Sequence, residues 1–195
     1  MFAPRGLDID ELQLAISLPE LGSVSNGVLI PLNRLVDSPL LDPSLDALFV
    51  SGLFPEQSRN LIATCESKGL ELVVFENPSN DLTAIKDVVL NITDKLFSNE
   101  MPNNIDLADI RNLNRSSDYL FAFNSKRAAL DFMDAQEFGV VIGSLYLAHG
   151  GTELDEYEAV NKELSHYISK HGFLCSSLHS SGSSECTILL GIKRH

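Results

Sequence analysis

The sequence predicts an α/β fold, built on a parallel sheet with a long central helix and followed by an α+β C-terminal domain. Three observations predict it. Short apolar runs alternate with amphipathic stretches between residues 47 and 97. A strand, a helix and a strand fit within residues 47–75, the span of one right-handed βαβ unit. Beyond residue 119 the pattern changes to strands and helices that read as a separate layer.

Taken in order, the first element is an alternation. Leu12, Leu14, Ile16 and Leu18 interleave with Gln13, Ala15 and Ser17, which predicts a half-buried strand within residues 7–18. Gly27 to Leu32 reads as a short apolar strand, and Leu35 to Pro43, with two prolines, as a loop. Ala47 to Val50 is a buried strand. Pro55 to Lys68 is a helix, because proline suits the first turn, Glu56 suits the positive end of the helix dipole, and Gly69 suits the exit. Leu70 to Phe75 is the strand that completes the unit.

Ser79, Asn80 and Asp81 are N-cap candidates for the central helix. Its apolar positions, Leu82, Ile85, Val88, Val89, Ile92, Leu96 and Phe97, recur at three and four and predict one wide buried face. Tyr119 to Phe123 is a strand, Lys126 to Ala135 a short helix and Gly139 to Ala148 a long strand. Thr152 with Asp155 three residues later marks a helix start. That helix turns Leu154, Tyr157, Val160, Leu164 and Ile168 inward and ends at Gly172. Strands at 173–179 and 186–192 follow, joined by the turn Ser180-Ser181-Gly182-Ser183.

Composition bounds the function. The chain has 195 residues, 44% apolar and 21% charged, enough for one domain or two small ones with a packed core. No stretch reaches the roughly 20 apolar residues of a membrane span. Met1 to Gly6 lacks a basic-then-apolar signal segment. The expectation is a soluble, cytoplasmic protein. A net charge of −13 excludes nucleic acid and anionic membrane surfaces as partners. It permits a basic protein or a cation, and equally serves solubility. Cys65, Cys175 and Cys186 show no paired spacing and read as free thiols in a reducing compartment. The histidines at 149, 166, 171, 179 and 195 form no metal-ligand pattern, so no metal is expected. His149-Gly150-Gly151 could bind an anion before a helix, but reads first as a tight strand-to-helix turn. No hydrolase spacing occurs.

The phrase with the most content is Asn104-Ile105-Asp106-Leu107-Ala108-Asp109-Ile110. It places an amide and two carboxylates on a short loop after the central helix. Asp109 alone would serve as a cap for the next helix. Leu154-Asp155-Glu156-Tyr157-Glu158-Ala159-Val160 is a second phrase. Together they resemble the C-terminal half of the FtsZ/tubulin superfamily. The first is similar to that family's Asn-x-Asp-Phe-Ala-Asp-Val loop, with Leu107 for Phe. The second is similar to its Leu-Asp-Glu-Phe-Glu-x-Val helix start, with Tyr157 for Phe. Residues 139–151 resemble the strand and turn before it.

The N-terminal side departs from the family. Its Gly-Gly-Gly-Thr-Gly-Thr/Ser-Gly loop holds GTP because glycine lets backbone N–H groups approach phosphate at a helix N-terminus. The junction here is Ser51-Gly52-Leu53-Phe54-Pro55-Glu56-Gln57, with one glycine, a proline and a glutamate. The resemblance therefore implies a shortened FtsZ-like protein with a reduced nucleotide-binding-like domain at 1–78, the central helix and connection at 79–103, and an FtsZ C-terminal-like domain at 104–195. It implies no bound cofactor and no catalytic residue of its own. Asn104, Asp106 and Asp109 become a partner-binding or trans-acting loop. The implied partner is FtsZ, an FtsZ-like protein or a second copy of the chain. The implied role is capping or modulating filaments in cell division. A self-assembling scaffold and a GTPase-stimulating subunit acting in trans are the alternatives.

Overall fold

The computed structural model describes residues 11–37, 41–98, 104–135 and 139–195. Those residues form an α/β fold around one eight-stranded sheet of order β2-β1-β3-β4-β5-β8-β6-β7. The strands are β1 (Leu14–Ser17), β2 (Val28–Leu29), β3 (Ala47–Val50), β4 (Glu71–Glu76), β5 (Tyr119–Phe123), β6 (Val140–His149), β7 (Phe173–His179) and β8 (Cys186–Lys193). The helices are α1 (Leu32–Asp37), α2 (Pro55–Lys68), α3 (Leu82–Phe97), α4 (Leu107–Ser116), α5 (Lys126–Ala135) and α6 (Leu154–Tyr167). All strand pairs are parallel except those of β8, which runs antiparallel to both β5 and β6.

Side-chain alternation assigns the helices to faces. Val73 and Phe75 of β4, and Leu120 and Ala122 of β5, pack with α3 and α4 in one core. The alternate residues face the other way. Leu72 and Val74 join the α1–α2 cluster, while Phe121 and Phe123 join the α5–α6 cluster. The central strands are therefore covered on both sides, and β1 is buried throughout rather than half-buried.

The βαβ unit lies where the sequence places it. Pro55 opens α2, Gly69 closes it in the left-handed region at φ 68°, and β3 and β4 pair in parallel. Asp81 caps α3 by accepting the Thr83 and Ala84 N–H groups. The buried face of α3 is Ile85, Val88, Val89 and Ile92, whereas Leu82 in its first turn is exposed.

Several expectations need correction. The residues after Leu35 are not all loop, because α1 covers Leu32–Asp37, entered from Pro31, whose carbonyl accepts the Leu35 N–H. The Gly27–Leu32 strand shrinks to Val28–Leu29, since Leu32 already begins that helix. The N-cap position of α6 is Glu153, whose side chain makes no capping bond, not Thr152, whose hydroxyl turns back to the His149 carbonyl. It ends at Tyr167, ahead of Gly172, and Leu154 at its exposed first turn stays in solvent. Finally, β7 and β8 are not a hairpin. β8 inserts between β5 and β6, leaving β7 at the sheet edge, and the strands after residue 119 extend the first sheet rather than form a layer of their own. The reason is apolar content. Cys186 to Ile192 is buried on both faces and needs two neighbours, while β7 carries Cys175, Ser176 and Ser177 and tolerates one.

Candidate functional site

Helix α3 sets the geometry of the acidic loop. It starts from the turn that follows the carboxyl end of β4 and runs 16 residues, about 24 Å at 1.5 Å per residue. The loop thus lies at the opposite end of the sheet from that turn, beside the amino ends of the parallel strands. Ile105 anchors it as a buried side chain, and Asn104 and Asp106 on either side are exposed.

Asp106 and Asp109 come together as a capping box at the start of α4. The Asp106 carboxylate accepts the Asp109 N–H at 3.1 Å, and the Asp109 carboxylate accepts the Asp106 N–H at 3.1 Å. The cap is Asp106, and Asp109 is its reciprocal partner in the first turn. Two of the orphan amides of a helix start are satisfied this way. Asp109 also accepts the Cys175 thiol at 3.4 Å, which ties the loop to β7. Burial pushes the Cys175 thiol up to about 12, and the nearby Asp109 and Asp106 charges add to the rise. Cys175 is therefore a thiol rather than a thiolate near neutral pH. Both oxygens of Asp109 are engaged. Among the described residues, the second oxygen of Asp106 and the Asn104 amide remain open to a partner.

The far end of α4 is fixed by Glu71 at the start of β4. Its carboxylate, 7% exposed, meets Arg111 at 3.2 Å, Arg115 at 3.0 Å and the Asn114 amide at 2.9 Å. Asn114 also donates to the Leu72 carbonyl. The helix that carries the acidic loop is thereby held at both ends, on β7 and on β4.

The carboxyl ends of the strands hold the other polar residues. After β3, the start of α2 is closed from within. The Gln57 side-chain oxygen accepts the Phe54 N–H at 2.8 Å, Pro55 has no N–H to offer, and Glu56 places a carboxylate in the first turn. Gly52 has φ 78°, but a Cβ there would lie 2.4 Å from Pro19, so the space beside this glycine is filled by protein. These residues suit a phosphate group poorly: Pro55 has no N–H, the Phe54 N–H is taken by Gln57, and the Glu56 charge is of the wrong sign.

A second polar cluster was not legible in the sequence. His149 ends β6 as a buried imidazole. Its Nδ1 lies 2.6 Å from the Ser184 carbonyl, which can only accept, so Nδ1 carries the proton. Its Nε2, 3.0 Å from Thr187 Oγ1, then accepts the hydroxyl proton. Thr187 in turn accepts the Asn91 amide at 3.0 Å. Asn91, on α3, also receives Ser183 through its N–H and hydroxyl. This chain of hydrogen bonds ties α3, β6, β8 and the β7–β8 connection together. Burial depresses the basicity of His149, and His179, 6.0 Å away ring to ring, adds to the depression; the Ser184 carbonyl and Asp87 act the other way. His149-Gly150-Gly151 is thus a turn whose histidine faces inward, and the glycine pair reads as backbone geometry. The residues of this cluster come from four separate elements, and no spacing in the sequence joins them.

No helix among the described residues is long and apolar enough to cross a membrane. No family model and no curated protein matches the chain. Among solved structures, an FtsZ mutant of M. jannaschii matches over 76% of this chain and 56% of that one, with 16% identity and a TM-score of 0.44. CetZ from Methanosaeta thermophila matches over 94% and 62%, with 17% identity and a TM-score of 0.45. The dihydroxyacetone kinase operon co-activator DhaQ matches over 94% and 83%, with 10% identity and a TM-score of 0.31. The chain spans less than two thirds of the length of the first two.

Proposed function

We propose that this chain is an FtsZ-like protein without GTPase activity that works by binding other proteins, capping or modulating an FtsZ-type filament. The observation that carries the reading is the closed start of α2. Where a nucleotide-binding relative needs free amides, Gln57 takes the Phe54 N–H, Pro55 has none to offer, and Glu56 adds a negative charge. The sequence resemblance at residues 104–110 and 154–160 supports the family reading, and the position of the loop at one end of the sheet is consistent with docking. Asn104 and the open oxygen of Asp106 sit at one end of the sheet, while the opposite end holds no phosphate cradle at α2. A subunit with one competent end stops head-to-tail growth, because such growth needs two complementary faces. In this reading residues 1–78 are a reduced nucleotide-binding-like part, 79–103 the connection and 104–195 the part that docks.

The test is FtsZ assembly with GTP in the presence of purified chain, followed by light scattering and pelleting. Substoichiometric chain should shorten or reduce the polymer and sediment with it. Unchanged assembly and no complex at micromolar concentrations would sink the reading. If the loop instead stimulates hydrolysis by a partner subunit, Asp106→Ala and Asp109→Ala should each abolish the stimulation.

Self-assembly is the second reading, and the sheet edges favour it. β7 is an outer strand with Leu178 exposed, and Val28 on the opposite edge is 52% exposed. Uncovered edges are templates for strand addition. A concentration-independent monomer by light scattering would count against this alternative.

A further inference from the structure

Where two neighbouring parallel strands send their next helices to opposite faces of a sheet, a crevice opens outside their carboxyl ends, and ligands settle there. β4 and β5 are such a pair. They are parallel neighbours, α3 packs after β4 on one face, and α5 packs after β5 on the other. The crevice exists, with a volume of about 440 Å³. Ser79 and Asp81 line it from the β4–α3 turn, Phe123 and Asn124 from the end of β5, and Asp131 and Phe132 from α5.

Its frame is fixed. Asn77, at the end of β4, donates to the Ala122 carbonyl of β5 at 2.9 Å. Its side-chain oxygen accepts the N–H groups of Ser79 and Asp81. One buried amide thus holds the turn and clamps the two strands where they part.

The lining has a definite chemical character. Phe123 and Phe132 bring two rings with centroids 5.4 Å apart. Apart from the Ser79 hydroxyl, the open polar side-chain groups are acceptors. Asp81 spends one oxygen on the Thr83 and Ala84 amides, and its other oxygen accepts no hydrogen bond among the described residues. Asn124 donates its side-chain amide to Asp87, which leaves its side-chain oxygen facing no donor among the described residues. Asp131 adds a second carboxylate, paired only at 3.6 Å with the highly exposed Arg127. Among the described residues, no lysine, arginine or histidine lines the crevice.

We propose that this crevice binds a small organic cation with an apolar or aromatic body, an arylalkylamine in class. The ammonium would sit between Asp81 and Asp131, and the body against the phenyl rings, whose faces attract cations. Asp81 already meets the positive end of the α3 dipole, so the helix start does not call for an anion. Two carboxylates and no cation in the lining disfavour phosphates and carboxylates. The proposal does not depend on the filament reading.

The experiment is titration of the full chain with 2-phenylethylamine, read by calorimetry and by backbone-amide NMR, with neutral 2-phenylethanol alongside. The expected result is saturable binding in the millimolar range or tighter, with shifts at Asn124, Ala128 and Asp131. The alcohol should bind at least about tenfold more weakly. Asp131→Asn should weaken the amine about two- to fivefold, the range for an exposed ion pair. Ala128→Phe, at an exposed position that fills the crevice without touching the core, should abolish binding in a folded protein. No saturation by about 10 mM would overturn the proposal. Equal binding of the alcohol, or undiminished binding by folded Ala128→Phe, would overturn it as well.

Discussion

Asp106 offers a way to separate what a carboxylate does for the fold from what it does for a partner. Two substitutions make the cut. Asp106→Ser keeps an N-cap oxygen for the Asp109 N–H but removes the charge. Asp106→Ala removes both. The cap is one hydrogen bond of 3.1 Å on an exposed helix start, and its reciprocal bond, from the Asp106 N–H to Asp109, survives either change. Loss of an N-cap costs about 1 kcal/mol. For a chain of this size that is roughly 2–4 °C in Tm. Asp106→Ala should therefore melt about 2–4 °C lower, and Asp106→Ser within about 1 °C of the parent. Both variants should lose binding to the filament partner if the open carboxylate oxygen makes the contact. Calorimetric melting and co-sedimentation measure the two properties independently. If Asp106→Ser keeps both stability and binding, the loop is a helix start and nothing more, and the docking argument fails. If Asp106→Ala leaves Tm unchanged, the capping argument fails instead.

Other expectations follow from the same contacts. Asn91→Ala removes the amide that joins α3 to Thr187 and Ser183 and leaves buried groups unmatched, so urea unfolding should show a loss of about 2–3 kcal/mol. Gly182→Ala would place a Cβ 2.2 Å from the His149 ring, and should cost about 1–3 kcal/mol by the same measurement. His149 has a folded-state pKa below its unfolded value near 6.5, because burial disfavours the imidazolium. The unfolded chain therefore binds the proton first. Stability is fully present above about pH 6.5 and declines as pH falls through that value towards the folded pKa, by at most about 1.4 kcal/mol per pH unit. The urea midpoint of His149→Gln should fall less between pH 7.5 and 5.5 than that of the parent. Asp109→Ala takes away the acceptor and charge beside Cys175, so thiol alkylation at pH 8 should be faster than in the parent.

The sequence carried the local elements and not their pairing. Pro55, Glu56 and Gly69 mark both ends of α2 because capping is a matter of adjacent residues. Asp81 marks the start of α3 for the same reason. The phrase 104–109 gave away a helix start, and the structure divides its roles between Asp106 as cap and Asp109 as partner. Strand order was hidden. A polar turn at 180–183 suggests a hairpin, but the apolar run of β8, buried on both faces, satisfies itself only between two strands. That run was the available signal. The partners of the site were hidden more deeply. Cys175 meets Asp109 across 66 positions, and Asn91 meets Thr187 across 96. Only the packing of α3 and α4 on the sheet brings them together.

The central claim is a chain that binds protein rather than nucleotide, and calorimetric titration with GTP and GDP in magnesium tests it most directly. The closed start of α2 predicts no saturable heat at concentrations up to about 100 μM, well above the micromolar affinities that correspond to about −8 kcal/mol. Clear micromolar binding of either nucleotide would contradict the account and make GTP-dependent assembly the leading function.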